Sequence, residues 1–242
     1  MKQFEAVIST LERLGGRATL AQLYQEATKV PGVTWGTKTP FASIRRIVQE
    51  RPEIFRVRPG LWALESFRTR LGLLEEISEA DLSKESLAKS HSYYQGLLAM
   101  IGNLRGYSTY IPNQDKNRLC LQRPLVEIRT LQDLPPFSYS ELTRRAETVD
   151  VSWFNARHMP HSLFEIEHST DIQTSLLKFY ELQDFSTRMV VVASPARRRE
   201  FQQKVRHRAF QEIAERVAFY DYEALARDYE HETLNSAVEF TL

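Results

Sequence analysis

Apolar residues recur at three-and-four spacing over residues 3–14, where Phe4, Val7, Ile8, Leu11 and Leu14 form one stripe, and this predicts a helix that Gly15-Gly16 ends. Thr19 is placed to cap a second helix with the same spacing at Leu20, Leu23, Tyr24 and Ala27, stopped by Pro31-Gly32. Thr39 followed by Pro40 signals a third helix start, because proline at the first helical position loses no needed hydrogen bond. That helix is expected over about residues 40–49, with Phe41, Ile44, Ile47 and Val48 toward the core. The stretch IFRVRPGLWAL then alternates apolar and polar residues around Pro59-Gly60, which predicts a half-buried hairpin. Three helices closed by a hairpin predict a winged helix-turn-helix over residues 1–66.

Residues 67–89 are charged, poor in bulky residues after Ile77, and expected to link this unit to a second domain over residues 90–242. The second domain opens on a helix across residues 91–105 that ends near Gly106. STYIP, LCLQ and LVEIR suggest short strands, and VDVSWF and SLFEIE stronger ones. TDIQTSLLKFYELQDF is helical, MVVVAS a buried strand, PARRREFQQKVRHRAFQ a basic helix, RVAFYD a strand and YEALARDYE a helix. The alternation places the chain in the α/β class, with a mixed sheet flanked by helices.

Composition changes the picture in two respects. A single cysteine, Cys120, excludes an intrachain disulfide and a Cys-rich zinc site, and its apolar surroundings predict a small core residue. The N-terminus lacks the apolar centre of a signal peptide and no stretch reaches membrane-span length, so a cytoplasmic location with no membrane partner is expected. The net charge of +1 conceals an asymmetry: residues 1–70 hold 12 Lys+Arg against 6 Asp+Glu, and the remainder 20 against 25. A basic small unit joined to an acidic large one suggests that the first meets a polyanion.

With Ile44, Ile47 and Val48 facing inward, Ser43, Arg46 and Gln49, with Arg45 beside them, stay on the exposed side of the third helix, where a recognition helix would meet the major groove of double-stranded DNA. Lys38 at its start and Arg56 and Arg58 in the hairpin are placed to neutralise phosphates. The segments FEAVISTLERLGG, LAQLYQEA, WGTKTPFASIRRIVQE and FRVRPGLWAL resemble the HARE-HTH winged-helix domain, most characteristically at Gly36-Thr37-Lys38-Thr39-Pro40 and Arg58-Pro59-Gly60-Leu61-Trp62-Ala63-Leu64. The resemblance implies DNA binding. A protein-interaction surface is the alternative.

Candidate chemistry lies at Asp150 and at Glu165-Ile166-Glu167, each bordering an apolar strand. Strand alternation turns Glu165 and Glu167 to one side of the sheet, where both can converge with Asp150. Three carboxylates make a hard-oxygen site suited to Mg²⁺, with Mn²⁺ as a substitute, and that ion can activate water and offset phosphodiester charge. The alternative is that these acids pair with arginines such as Arg144 or Arg157.

This run, with SHSYYQGLLAMIGNLRGY, Tyr110-Ile111-Pro112, Asp115, FEIEHSTDIQTSLLKFYEL and MVVVAS, resembles the PD-(D/E)XK nuclease superfamily across the whole second domain. The resemblance implies Asp150 and Glu165 as metal ligands, with the Ile166 carbonyl completing the set. Glu167 stands where the superfamily carries its catalytic lysine, and Gln95 where many members carry an acid. A glutamate cannot supply the positive charge of lysine, although some restriction endonucleases have Glu at this place and are active. Lys178, two turns into the following helix, is either a relocated basic group or a surface lysine. His168, Ser169 and Thr170 either approach the phosphate or cap that helix. His158 and His161, in a Met-Pro turn with no third ligand nearby, read as loop histidines, and no Gly-rich phosphate loop is present.

The combined expectation is a Mg²⁺-dependent DNA endonuclease of restriction or phage-defence type. A homodimer is the economical way to cut two strands. The alternative is a catalytically inactive nuclease fold serving as a DNA-bound regulator or defence component.

Overall fold

The structure, a computed structural model, describes residues 1–36, 40–71 and 84–239. The chain divides into two compact units, Met1–Leu82 with Thr233–Leu242, and Ser83–Glu232.

In the first unit the order is α1 (Gln3–Arg13), β1 (Arg17–Thr19), α2 (Leu20–Ala27), α3 (Phe41–Glu50), β2 (Ile54–Arg58) and β3 (Leu61–Leu64). Thr19 caps α2 as its sequence implied: its hydroxyl accepts from the Gln22 N–H at 3.2 Å, and the Gln22 side chain accepts from the Thr19 N–H at 2.9 Å. The hairpin β2–β3 turns at Pro59-Gly60, where Gly60 takes φ 75°, and β1 pairs with the other edge of β3 to give an antiparallel sheet in the order β1-β3-β2. The helical stripes meet in one core that includes Val7, Leu11, Leu23, Tyr24, Ile44, Val48 and Trp62. Pro40 is the N-cap of α3, and Lys38 and Thr39 lie outside the described residues.

The second unit runs α4 (Lys84–Leu104), β4 (Ser108–Tyr110), β5 (Leu119–Cys120), β6 (Arg123–Pro124), α5 (Ser140–Ala146), β7 (Val151–Phe154), β8 (Pro160–Glu167), α6 (Ile172–Glu181), β9 (Arg188–Ala193), α7 (Arg198–Val205), β10 (Val217–Asp221) and α8 (Tyr222–Glu239), whose last turns belong to the first unit. Five strands form one mixed sheet in the order β10-β9-β8-β7-β4. The pairs β8–β9 and β9–β10 are parallel, and β7–β8 and β4–β7 antiparallel. Leu163, Met189 and Val191 lie in the core formed with Leu176, Phe179 and Phe201 of α6 and α7.

Three expectations need correction. The helix expected from residue 91 begins at Lys84, because SLAKS consists of residues a helix tolerates and contains no glycine or proline. LVEIR is not a strand: Leu125–Glu127 form a 3-10 turn, with Pro124 at φ −65° setting its entry. The basic run 195–211 is also broken, with α7 limited to Arg198–Val205 and short 3-10 turns on either side.

Candidate active site

Register brings the acids together. Val151 of β7 pairs with Phe164 of β8, so Asp150, the residue before β7, falls opposite Glu165 near the end of the antiparallel β8. Leu163 faces the α6 side, and the period of two continues that face to Glu165 and Glu167. Asp150, Glu165 and Glu167 border one cleft of about 410 Å³, which His91, Arg118 and Lys178 also line.

Glu165 is 4% exposed, and its two carboxylate oxygens lie 2.9 and 2.8 Å from the Lys178 ammonium. Lys178 also donates to the Thr148 carbonyl at 2.9 Å. It is therefore an anchored group aimed at the acid and not a freely solvated surface lysine. Burial pushes the Glu165 carboxyl up to about 8, reinforced by the Asp150 charge and opposed by Lys178. Ser175 donates to Glu165 at 3.3 Å and also to Glu167, which accepts a further bond from Thr170. Glu167 is thus an acceptor held by two hydroxyls.

Asp150 Oδ2 accepts the Ile166 N–H at 2.7 Å, and Oδ1 lies 3.3 Å from His91 Nε2. Burial works against the Asp150 charge, but the bond and charge of His91 and the Ile166 N–H outweigh it and hold the carboxyl below its usual range. The same bond and charge raise His91 against its own burial. Gln95 is buried beside them and donates to Asp115 Oδ2 at 3.0 Å and to the Asp150 carbonyl at 3.2 Å.

The residues named from sequence therefore fall into two groups. Asp150, Glu165, Ile166, Glu167, His168, Ser169 and Lys178 share the cleft. His168 is held by the Tyr222 hydroxyl at 2.8 Å, while Ser169 and Thr170 are exposed at the cleft wall. The cap of α6 is Asp171, which accepts from the Gln173 N–H at 2.8 Å. Neither Arg144 nor Arg157 is the partner of the acids: Arg144 bonds Ser140, and the groups found are Lys178 and His91. His91 was not singled out from sequence, although it sits one helical turn before Gln95, on the same face of α4. His161 stacks on Tyr107 and shares a 3.1 Å hydrogen bond with its hydroxyl. Cys120 is buried.

In the first unit Arg45, Arg46 and Gln49 are exposed on α3 and Ser43 is half-buried. Arg45 donates to the Tyr24 hydroxyl at 3.4 Å, and Arg46 lies 3.9 Å from Glu50. Arg56 is exposed on β2, whereas Arg58 is half-buried. Lys38 lies outside the described residues.

Carboxylates and a backbone carbonyl at neighbouring strand ends, open to a cleft, are the donor set that a hard divalent cation takes. A helix-flanked mixed sheet with this cleft at its central strand is compatible with a nuclease-like fold and marks a restriction-endonuclease-like region. Residues 73–239 match the family described as the type II restriction enzyme NmeDI C-terminal domain, and the chain belongs to that family. No curated protein and no solved structure matched the chain. Among the described residues no helix is long and apolar enough to cross a membrane.

Proposed function

We propose that the protein is a restriction-type DNA endonuclease whose phosphodiester hydrolysis depends on Mg²⁺ or Mn²⁺ held by Asp150, Glu165 and the Ile166 carbonyl. The observation that carries this reading is the opening of Asp150, Glu165 and Glu167 onto one cleft, into which α6 also sends the Lys178 ammonium, anchored on Thr148. That ammonium brings a positive charge to Glu165, in the same cleft in which Glu167 stands where the superfamily has its lysine. When bound, the metal supplies Lewis acidity and lowers the pKa of a coordinated water. The chain's own contributions are distinct. Asp150 and Glu165 hold the ligand oxygens at one cleft, and the Ile166 N–H fixes the Asp150 carboxylate. Ser175 and Thr170 orient Glu167. Lys178 offsets negative charge developing on a scissile phosphate.

The partner is double-stranded DNA. The three helices and antiparallel sheet of the first unit support a winged helix, with Ser43, Arg45, Arg46 and Gln49 on its recognition face and Lys38, Arg56 and Arg58 toward the phosphates. Two copies would supply the two sites that a double-strand cut requires, in a restriction or phage-defence setting. A second reading, an inactive DNA-bound regulator, is favoured by the engagement of both Glu165 oxygens with Lys178.

Incubating methylated and unmethylated plasmids with Mg²⁺, Mn²⁺ or EDTA separates the two readings. The endonuclease gives metal-dependent cleavage that is lost in the Asp150→Ala, Glu165→Ala double variant. The regulator retards DNA without cutting it under any of these conditions.

A further inference from the structure

The basic run after β9 is not part of the carboxylate site. Residues 197–208 hold six Lys+Arg and one acid, Glu200, whereas residues 71–242 as a whole hold 20 against 25. A block of positive charge kept within an otherwise acidic region suits a polyanion. Register brings this block to the cleft. Ala193, the last residue of β9, pairs with Glu167, so α7 starts at the same end of the sheet as the acids. Arg197 then donates to the His168 carbonyl at 3.1 Å and to the Thr170 carbonyl at 2.6 Å, and both of those residues line the cleft.

The faces of α7 are sharply divided. Phe201 and Val205 are buried, Glu200 pairs with Arg197 at 2.9 Å, Lys204 pairs with Asp171, and Arg198 with Asp221 at 2.8 Å. Arg199, Gln202, Gln203 and Arg206 remain, all exposed and at the spacing of one helix face. Among the described residues their side chains have no hydrogen-bond or ion-pair partner. This stripe contains no acid, and its residue types are those that DNA takes: guanidinium groups for phosphates and amides for base edges, glutamine pairing bidentately with adenine. A rise of about 1.5 Å per residue puts Arg199 and Arg206 about 10 Å apart along the axis, close to the ~12 Å width of the major groove.

We propose that α7 is a second DNA-reading element, carried by the unit that holds the carboxylates: Arg199 and Arg206 engage phosphates on the two sides of the major groove, and Gln202 and Gln203 meet base edges between them, adenine first. Target sequence is then read beside the cleft as well as by α3. The inference rests on the reading of the protein as a DNA endonuclease for its ligand, double-stranded DNA, and not for any step of hydrolysis.

The test is selection of bound sites from a random duplex pool by the full chain in EDTA, which prevents metal-dependent cleavage, with affinity for a selected duplex then measured against salt. Arg199→Ala and Arg206→Ala are each expected to lower the slope of log affinity against log salt by about 1. The Gln202→Ala, Gln203→Ala double variant keeps the wild-type slope and loses adenine enrichment at one or more positions of the selected site, by at least about tenfold. Wild-type slopes in both arginine variants, with an unchanged selected site in the glutamine variant, overturn the proposal. If Arg46→Ala still lowers the slope in that case, DNA reading by the first unit stands without α7. Lowered slopes with an unchanged selected site overturn the base contacts and leave a backbone grip. The predicted shifts without any plasmid cleavage in Mg²⁺ or Mn²⁺ uphold α7 and remove the endonuclease.

Discussion

At the scale of single residues the proposed chemistry turns on Lys178 and Glu165. Lys178→Met keeps much of the apolar stem but removes the charge, and cleavage is expected to fall by about 10²–10³, the usual loss for one electrostatic donor. Single-turnover rates with DNA affinity measured alongside check this, and an undiminished rate would make Lys178 structural. Glu165 yields a pH prediction. Its carboxyl, pushed up to about 8 by burial and by Asp150, binds its proton more tightly in the metal-free native state than in the unfolded chain, where it titrates near 4.5. The stabilisation from that proton is complete below about pH 4.5 and is lost as pH rises through about 8. Glu165→Gln has no such loss. Its melting temperature in EDTA should therefore gain on wild type between pH 5 and 9, and parallel profiles would contradict the assignment. The acids were legible in the sequence because strand alternation fixes which side chains share a face. Lys178 was legible only as one of two alternatives, since helical position alone cannot say which acid an ammonium reaches. His91 was not legible: a single histidine acquires meaning only when β7 delivers Asp150 to it.

Among the elements, α4 has the most exacting placement. A Cβ on Gly96 would run into the Cys120 side chain, and one on Gly102 would lie 2.6 Å from Thr109 Cγ2 and 2.7 Å from Trp153 Nε1. The helix therefore sits as close to β4, β5 and β7 as its glycines allow, and the Trp153 indole donates to the Leu98 carbonyl at 3.1 Å. Gly96 directly follows Gln95, so this approach also positions the α4 side of the cleft. Gly96→Ala should lower stability by about 1–3 kcal/mol, the usual cost of overpacking, seen as a lower urea midpoint with an unchanged slope. An unchanged midpoint would show that α4 has room to shift. The elements read best from sequence were those with a strong period: α1 to α3, the hairpin β2–β3, and the apolar β8 and β9. Those read poorly lacked one. SLAKS gives no apolar stripe at the start of α4, and in LVEIR the apolar residues Leu125, Val126 and Ile128 do not distinguish a short strand from a tight turn after proline.

For the whole molecule, the uneven charge predicts how DNA affinity responds to salt. Affinity should fall steeply as salt rises, and Arg46→Ala and Arg56→Ala should each reduce the slope of log affinity against log salt by about 1. Slopes equal to wild type would move the DNA contact away from α3 and β2. A chain that cuts both strands with one site per copy should also sediment as a dimer when bound to DNA. The central claim is that Asp150 and Glu165 share a divalent cation, and diffraction from crystals soaked in Mn²⁺ tests it most directly. The account predicts an anomalous peak within ligand distance of both carboxylates and of the Ile166 carbonyl. A Glu165 carboxylate still paired with Lys178, with no peak beside it, would contradict that claim.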